Sequence, residues 1–195
     1  MLLRNTTERW GAVSQSLHWL IVLLILAQGS VGLLMGDMRN GPDKIQVYAL
    51  HKSVGLSILA LVVLRLLWRL YAGAPRPVAG TPRWQQRIAT ATHGLLYALL
   101  LAMPLSGWLF NSAAGFPLQW FGLFNLPAIT SQDTGLRELA GQLHAWLFWT
   151  LVAVATVHAA AAFYHHLFLR DATLARMLPR GWLRTDPSLP SADSR

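Results

Sequence analysis

The sequence predicts an all-α integral membrane protein folded as a four-helix bundle. Of its 195 residues, 54% are hydrophobic and only 12% are charged, which is too apolar for an ordinary soluble domain. Four apolar segments are each about as long as the twenty residues that a membrane-spanning helix requires. They cover approximately residues 17–36, 48–70, 88–111 and 139–169. One four-helix domain therefore accounts for residues 1–180, and we expect 181–195 to form a flexible cytoplasmic tail.

The segments between the predicted helices have the composition of turns and loops. The start of the chain lacks the pattern of a cleavable signal peptide, so we expect the first apolar segment to remain in the membrane. Residues 37–47 connect the first two helices, and the stretch 72–82 contains proline and glycine. The longer loop 112–138 contains many apolar residues, and we expect it to fold back as a short amphipathic helix on the outer side.

The distribution of basic residues predicts the orientation in the membrane. Most of the 16 lysine and arginine residues lie before the first helix, between the second and third helices, or after the fourth. Cytoplasmic segments carry such an excess, so both termini and the second loop are predicted to be cytoplasmic. The net charge of +8 is explained in this way, and no basic stripe along an amphipathic helix points to nucleic acid.

The histidines predict a cofactor. His144 and His158 are fourteen residues apart on the fourth segment, so they share a helix face and lie about 21 Å apart along its axis. His51 and His18, on the second and first segments, lie at matching depths. A histidine in the membrane is costly unless it is satisfied, and haem iron accepts histidine as an axial ligand. The pattern predicts two bis-histidine haem b groups, and the absence of cysteine makes their attachment non-covalent.

Two alternatives to haem fit the histidine pattern less well. Zinc usually requires four ligands clustered within a few ångströms, whereas these histidines are dispersed by depth. A histidine-lined transporter or metal-handling protein is a further, non-redox hypothesis. Within the haem hypothesis, depth alone pairs His51 with His144 at the outer level. At the inner level, His18, His93 and His158 are three candidates for two axial positions.

Small residues and one arginine are predicted to complete the haem sites. Gly29 and Gly32 lie on the face of the first helix that begins with His18, and Gly55 lies one turn beyond the histidine of the second helix. These glycines are expected to leave room for a flat ring. Arg65, on the same face of the second helix, is expected to pair with a propionate of the inner haem.

Several short stretches occur in an order and spacing that together are specific. They are SLHW at 16–19, LHKSVGL at 50–56, LRLLWRL at 64–70, HGLLY at 93–97, PLSGW at 104–108, the segment 144–158, the pair 165–166 followed by Asp171, and RMLP at 176–179. In these stretches the sequence resembles the bacterial cytochrome b561 family, four-helix dihaem proteins of the inner membrane related to the cytochrome b subunits of nickel hydrogenases. The likeness covers about residues 9–180.

The resemblance implies specific ligands and a function. It implies that His51 and His144 hold the outer haem and that His18 and His158 hold the inner one. It further implies electron transfer in the bacterial inner membrane between an outer one-electron donor and ubiquinone. Because the family includes superoxide oxidases, the expected donor is superoxide or another small periplasmic molecule.

Five further residues are candidates for handling these substrates. Lys52 and Arg137 are expected to attract the superoxide anion on the outer side. His93, His165 and His166 lie toward the cytoplasmic ends of the helices and are expected to supply protons for quinone reduction, because imidazole titrates near neutral pH. The quinone site is accordingly expected on the cytoplasmic side.

An alternative function remains open at this point. In this alternative, the chain is a haem b subunit that anchors a separate dehydrogenase or hydrogenase and delivers the electrons of that enzyme to quinone. This hypothesis predicts a stable partner protein, whereas the superoxide hypothesis predicts a self-contained oxidoreductase surrounded by membrane lipids.

Overall fold

The structure, a computed structural model, describes residues 2–179 and 181–183. The elements are helices α1 (Ala12–Met35), α2 (Pro42–Ala72), α3 (Arg83–Ala113) and α4 (Thr134–Leu167), strands β1 (Leu118–Trp120) and β2 (Phe124–Leu126), and a 3₁₀ turn (Ala175–Met177). The prediction of an all-helical membrane fold built on four long helices is confirmed. Of the predicted tail, residues 184–195 lie outside the described part of the chain.

The helices extend beyond the apolar segments because polar residues cap their ends. Helix α2 begins at Pro42, whose fixed φ suits the first helical position, and Asp43 in its first turn complements the helix dipole. Before α4, the Asp133 carboxylate accepts a hydrogen bond of 2.8 Å from the amide of Leu136, so the helix starts within the predicted loop. Helix α3 continues through Pro104.

The helix surfaces are those of membrane spans. Each of the four helices is long and apolar enough to cross a bilayer. Large apolar side chains are exposed along them, including Leu23, Leu67 and Val157. Exposure of so many apolar groups is stable where lipid replaces water. The chain is therefore a multi-pass membrane protein.

The chain divides into two compact units, and each helix contributes to both. The first unit comprises the described residues up to His18, Arg65–Leu96 and the chain from Ala153 onward. The second unit comprises Trp19–Leu64 and Tyr97–Val152. His18, His93 and His158 thus belong to the first unit, whereas His51 and His144 belong to the second.

In the first unit, the segments that flank the helices bind one another. The Asn5 side chain donates to the carbonyl of Gly73 over 2.7 Å, and the amide of Arg76 donates to the carbonyl of Thr7 over 2.7 Å. The buried Gln15 side chain donates to the carbonyls of Arg176 and Leu178 in and after the 3₁₀ turn. The segment before α1 and the segment around the 3₁₀ turn are therefore bonded parts of this unit.

In the second unit, the connection from α3 to α4 forms an antiparallel hairpin, so the expected amphipathic helix is wrong. Strands β1 and β2 pair with Gln119 opposite Asn125. The turn between them places Phe121 at φ 47° and Gly122 at φ 72°, a left-handed geometry that glycine favours and that breaks a helix. The apolar residues of this loop therefore alternate along strands instead of following a helical period.

Candidate functional site

The second unit brings two predicted ligand residues together. His51 on α2 and His144 on α4 have ring centroids 6.3 Å apart, with their planes at 72°. Both side chains are half-buried. The pair joins helices that are distant in sequence, and its spacing leaves room for one atom between the rings.

The orientation of His144 is fixed by a helix turn that contains a proline. Its Nδ1 lies 2.9 Å from Ser106 Oγ and 3.1 Å from the carbonyl oxygen of Met103. The Ser106 hydroxyl in turn donates to the Met103 carbonyl over 2.7 Å. An Nδ1–H that donates to this carbonyl leaves the lone pair on Nε2, which is the tautomer required for binding a metal.

His51 is held by packing. Its Nδ1 is buried and makes no hydrogen bond among the described residues. A Cβ added at Gly32 would lie 3.2 Å from His51 Cε1, and a Cβ added at Gly107 would lie 3.2 Å from His144 Cε1. The two glycines therefore allow α1 and α3 to approach the imidazoles closely.

The first unit contains the three candidate ligands of the inner haem, His18, His93 and His158. His18 and His158 have ring centroids 6.5 Å apart at an interplanar angle of 79°. His93 and His158 are closer, with centroids 5.2 Å apart at 71°. His158 on α4 therefore lies next to both competing candidates.

The centroid distances test which pairs fit a shared haem iron. With metal–nitrogen bonds of about 2.0–2.1 Å, and a ring nitrogen about 1.1 Å from its centroid, two axial imidazoles have centroids about 6.2–6.4 Å apart. The pairs His51–His144 and His18–His158 fit this distance. The pair of His93 with His158 is about 1 Å too close.

The glycines and the arginine that were predicted to surround the haems contact different neighbours. A Cβ at Gly29 would lie only 3.1 Å from the ring of Phe148, so this glycine leaves space for that side chain. A Cβ at Gly55 would make an ordinary contact of 3.5 Å with the side chain of Gln28. Arg65 Nη1 donates to the carbonyl of Ser14 over 3.1 Å. This bond anchors the guanidinium one helical turn before His18.

The two basic candidates of the second unit have different environments. Lys52 Nζ lies 3.2 Å from Asn111 Oδ1 and 3.2 Å from the carbonyl oxygen of Pro117. Both acceptors are neutral, so these bonds orient the ammonium without cancelling its charge. Arg137 is exposed near the start of α4, where it lines an open depression together with Gln132 and Asp133.

The histidines at the end of α4 include one acid–base pair. His165 Nδ1 lies 2.5 Å from Asp171 Oδ2, and the backbone amide of Thr173 donates to Asp171 Oδ1 over 2.8 Å. The pKa of Asp171 lies below its ordinary value. Burial alone would raise this pKa, but the hydrogen bonds with His165 and Thr173 stabilise the carboxylate and outweigh the effect of burial. His166 is half-buried in the same helical turn.

Sequence reasoning missed the partners of these histidines. Ser106 and Asp171 lie in stretches that carry the family resemblance, yet residue spacing assigns neither of them a role. Ser106 directly precedes Gly107, and a serine beside a glycine on an apolar helix signals close helix contact. The Met103 carbonyl carries no signal, because every residue has one.

The sequence of this chain is similar to those of a known protein family and of several known proteins. The family described as prokaryotic cytochrome b561 matches residues 9–180. The chain is 35% identical to cytochrome b561 homolog 2 of Escherichia coli (strain K12), over 91% of this chain and 95% of that protein. It is 28% identical to cytochrome b561 homolog 1 of the same strain, over 89% and 98% of the two chains. It is 29% identical to the probable superoxide oxidase CybB of Yersinia pestis, over 89% and 97%. The family resemblance predicted from the sequence is confirmed.

Proposed function

Because the chain belongs to the prokaryotic cytochrome b561 family, a family that implies haem b, we propose that it transfers electrons between a periplasmic one-electron donor and ubiquinone. The observation that supports this most strongly is the presence of two histidine pairs at 6.3 and 6.5 Å, the spacing of paired axial ligands. We place the protein in the bacterial inner membrane with both termini in the cytoplasm, following its basic residues.

Two haem b groups are assigned to these pairs. His51 and His144 would hold the haem of the second unit, and His18 and His158 would hold that of the first. Iron with two histidine ligands exchanges single electrons and has no free position for oxygen. Arg65, anchored by the Ser14 carbonyl, supplies a cation for a haem propionate in the first unit.

Superoxide is the proposed donor, and the name of the Yersinia pestis relative supports this choice. Two superoxide anions each lose one electron and leave as oxygen, while one ubiquinone gains both electrons and two protons to form ubiquinol. Lys52 follows a proposed ligand directly and presents its charge between two neutral acceptors. A cation in such a position raises the encounter rate of a small anion. Exposed Arg137 adds to the same attraction.

The protons for ubiquinone are assigned to the cytoplasmic end of α4. His165 lies two turns after His158 on the same helix face, and its Nδ1 is bound by Asp171. This bond fixes the imidazole orientation and leaves Nε2 available to carry a proton. His93, which does not fit as a ligand partner of His158, and His166 are further proton carriers in this proposal.

The test uses the purified haem-loaded protein in lipid nanodiscs. Superoxide generated by xanthine oxidase is expected to reduce the b-type absorption band, and a short-chain ubiquinone is expected to reoxidise it. Superoxide dismutase must abolish the reduction. If dithionite reduces the protein but superoxide does not, the donor assignment is wrong. Co-purification of a dehydrogenase or hydrogenase in that case would favour the anchoring function instead.

A further inference from the structure

Asp133, at its very end, is the single charged residue of the connection between α3 and α4. Residues 112–132 contain no aspartate, glutamate, lysine or arginine, although about a quarter of the residues in an average soluble protein are charged. Both flanking helices are long and apolar enough to span a membrane. This segment therefore lies at the end of two spans without the charged side chains that normally solvate a loop.

The tip of the hairpin exposes large apolar side chains. Leu123 is 73% exposed, Phe124 is 55% exposed and Phe121 is 49% exposed. Trp120 contacts both aromatic residues, with ring centroids 5.2 Å from Phe121 and 5.4 Å from Phe124. The tip is thus a continuous aromatic and aliphatic surface instead of a few scattered exposed residues.

Polar bonds to α2 hold this tip in its exposed position. The buried Ser53 Oγ accepts a hydrogen bond of 3.0 Å from the amide of Phe121. Its hydroxyl hydrogen is shared between the carbonyl of Ala49 on α2 at 2.9 Å and the carbonyl of Gln119 on β1 at 3.2 Å. Trp120 Nε1 donates to Ser57 Oγ over 3.0 Å. Because hydrogen bonds anchor the strands to α2 at these points, the exposed apolar tip has a fixed position within the second unit.

We propose that the hairpin tip inserts into the headgroup and acyl boundary of the lipid leaflet at the end of α3 and the start of α4. The start of α4 also exposes large apolar side chains, at Leu139, Leu143 and Trp146. Lipid already covers such a surface on a membrane span, and aromatic residues concentrate at this depth. The hairpin, residues 118–126, contains no charged side chain, which lowers the free-energy cost of placing it at this depth.

The two faces of the hairpin agree with this placement. Gln119 and Asn125 face each other across the strands and form a polar pair on one face. Leu118 and Leu126 pair on the opposite face, and Leu118 is buried. The hairpin is therefore amphipathic, with a polar face for water or headgroups and an apolar tip for the acyl region.

The experiment uses the absence of cysteine in this chain. Single substitutions Leu123→Cys and Phe124→Cys at the tip, and Asn125→Cys and Glu138→Cys at exposed polar positions, are labelled with an environment-sensitive dye. The haem-loaded proteins are reconstituted in nanodiscs, and quenching is compared for lipids with nitroxide-labelled chains and for aqueous iodide. Retention of the haem spectrum confirms that each variant is folded.

Lipid nitroxide is expected to remove more than half of the fluorescence at the two tip positions, and iodide is expected to have little effect there. The opposite pattern is expected at the Asn125 and Glu138 positions. Quenching of both tip labels by iodide and not by lipid would overturn the proposal. Tip labels shielded from both quenchers would also overturn it and would indicate that protein covers the hairpin. These results do not depend on the electron donor, so they are independent of the proposed function.

Discussion

The assignment of His18 over His93 is the prediction that the structure makes most sharply. The centroid of His18 lies 6.5 Å from that of His158, within a few tenths of an ångström of the spacing of two imidazoles on one iron. The centroid of His93 lies 5.2 Å from the same ring, and it would have to retreat by about 1 Å to reach that spacing. Helices in a packed bundle do not separate by this amount without losing contacts.

The perturbation is a set of single substitutions to alanine at His18, His93 and His158. His18→Ala and His158→Ala are expected to lower the haem content from two to one per polypeptide. His93→Ala is expected to retain both haems, because the iron of the first unit keeps its two axial nitrogens. Free imidazole added during haem loading is expected to restore part of the content of His18→Ala, since the missing group is the ligand itself.

The assay is the pyridine haemochrome content per polypeptide, combined with the low-temperature absorption spectrum to identify which haem is lost. His51→Ala provides the matched control, because it removes a proposed ligand of the second unit and must leave the signal of the first unit unchanged. Loss of one haem in His93→Ala, with full content in His18→Ala, would refute the distance argument and make His93 the ligand.

Three further outcomes are expected. Lys52→Gln is expected to slow haem reduction by superoxide by on the order of 10-fold at low ionic strength. The control Lys44→Gln, on the same helix, is expected to have little effect. Equal reduction rates in the two variants would exclude Lys52 from the donor site. Ser106→Ala is expected to raise the midpoint potential of one haem, because the imidazole it contacts loses an acceptor and donates less charge to the iron; a redox titration that shows both potentials unchanged contradicts this. Asp171→Asn is expected to lower the melting temperature at neutral pH. The Asp171 carboxylate has a lowered pKa, so its bond with His165 stabilises the fold above the ordinary value of 3.8, and this stabilisation is lost as the pH falls through the lowered pKa. A difference in melting temperature that persists in strong acid would exclude the ionised carboxylate as its cause.

The sequence predicted the helices well because membrane spans are specified by the length and apolarity of single segments. It predicted the helix ends poorly, because the ends depend on caps such as Asp133 that lie among loop residues. The hairpin was missed for a related reason. Between Phe116 and Leu126 the apolar residues fit both a helical and a strand period, and the left-handed turn at Phe121 and Gly122 decides between them.

In the candidate site, too, the sequence predicted what depends on position along one helix and could not predict what depends on contacts between helices. Depth along the helices grouped His51 with His144, and His158 with its two neighbours, because the rise per residue is constant. Depth could not distinguish His18 from His93, since both lie at the same level. That distinction rests on the distance between helix axes and on side-chain rotamers, and neither quantity is encoded in residue spacing.

The two histidines of the second unit are held differently, and this difference has a chemical consequence. His144 has its Nδ1 bonded to the Met103 carbonyl and Ser106, so its tautomer is fixed and its Nε2 is a ready donor. His51 has a buried Nδ1 without a hydrogen bond among the described residues. If His51 held the proposed haem iron through Nε2, the proton would remain on that Nδ1, and a buried donor without an acceptor costs about 1–3 kcal/mol. We therefore expect His144 to be the stronger ligand of the pair.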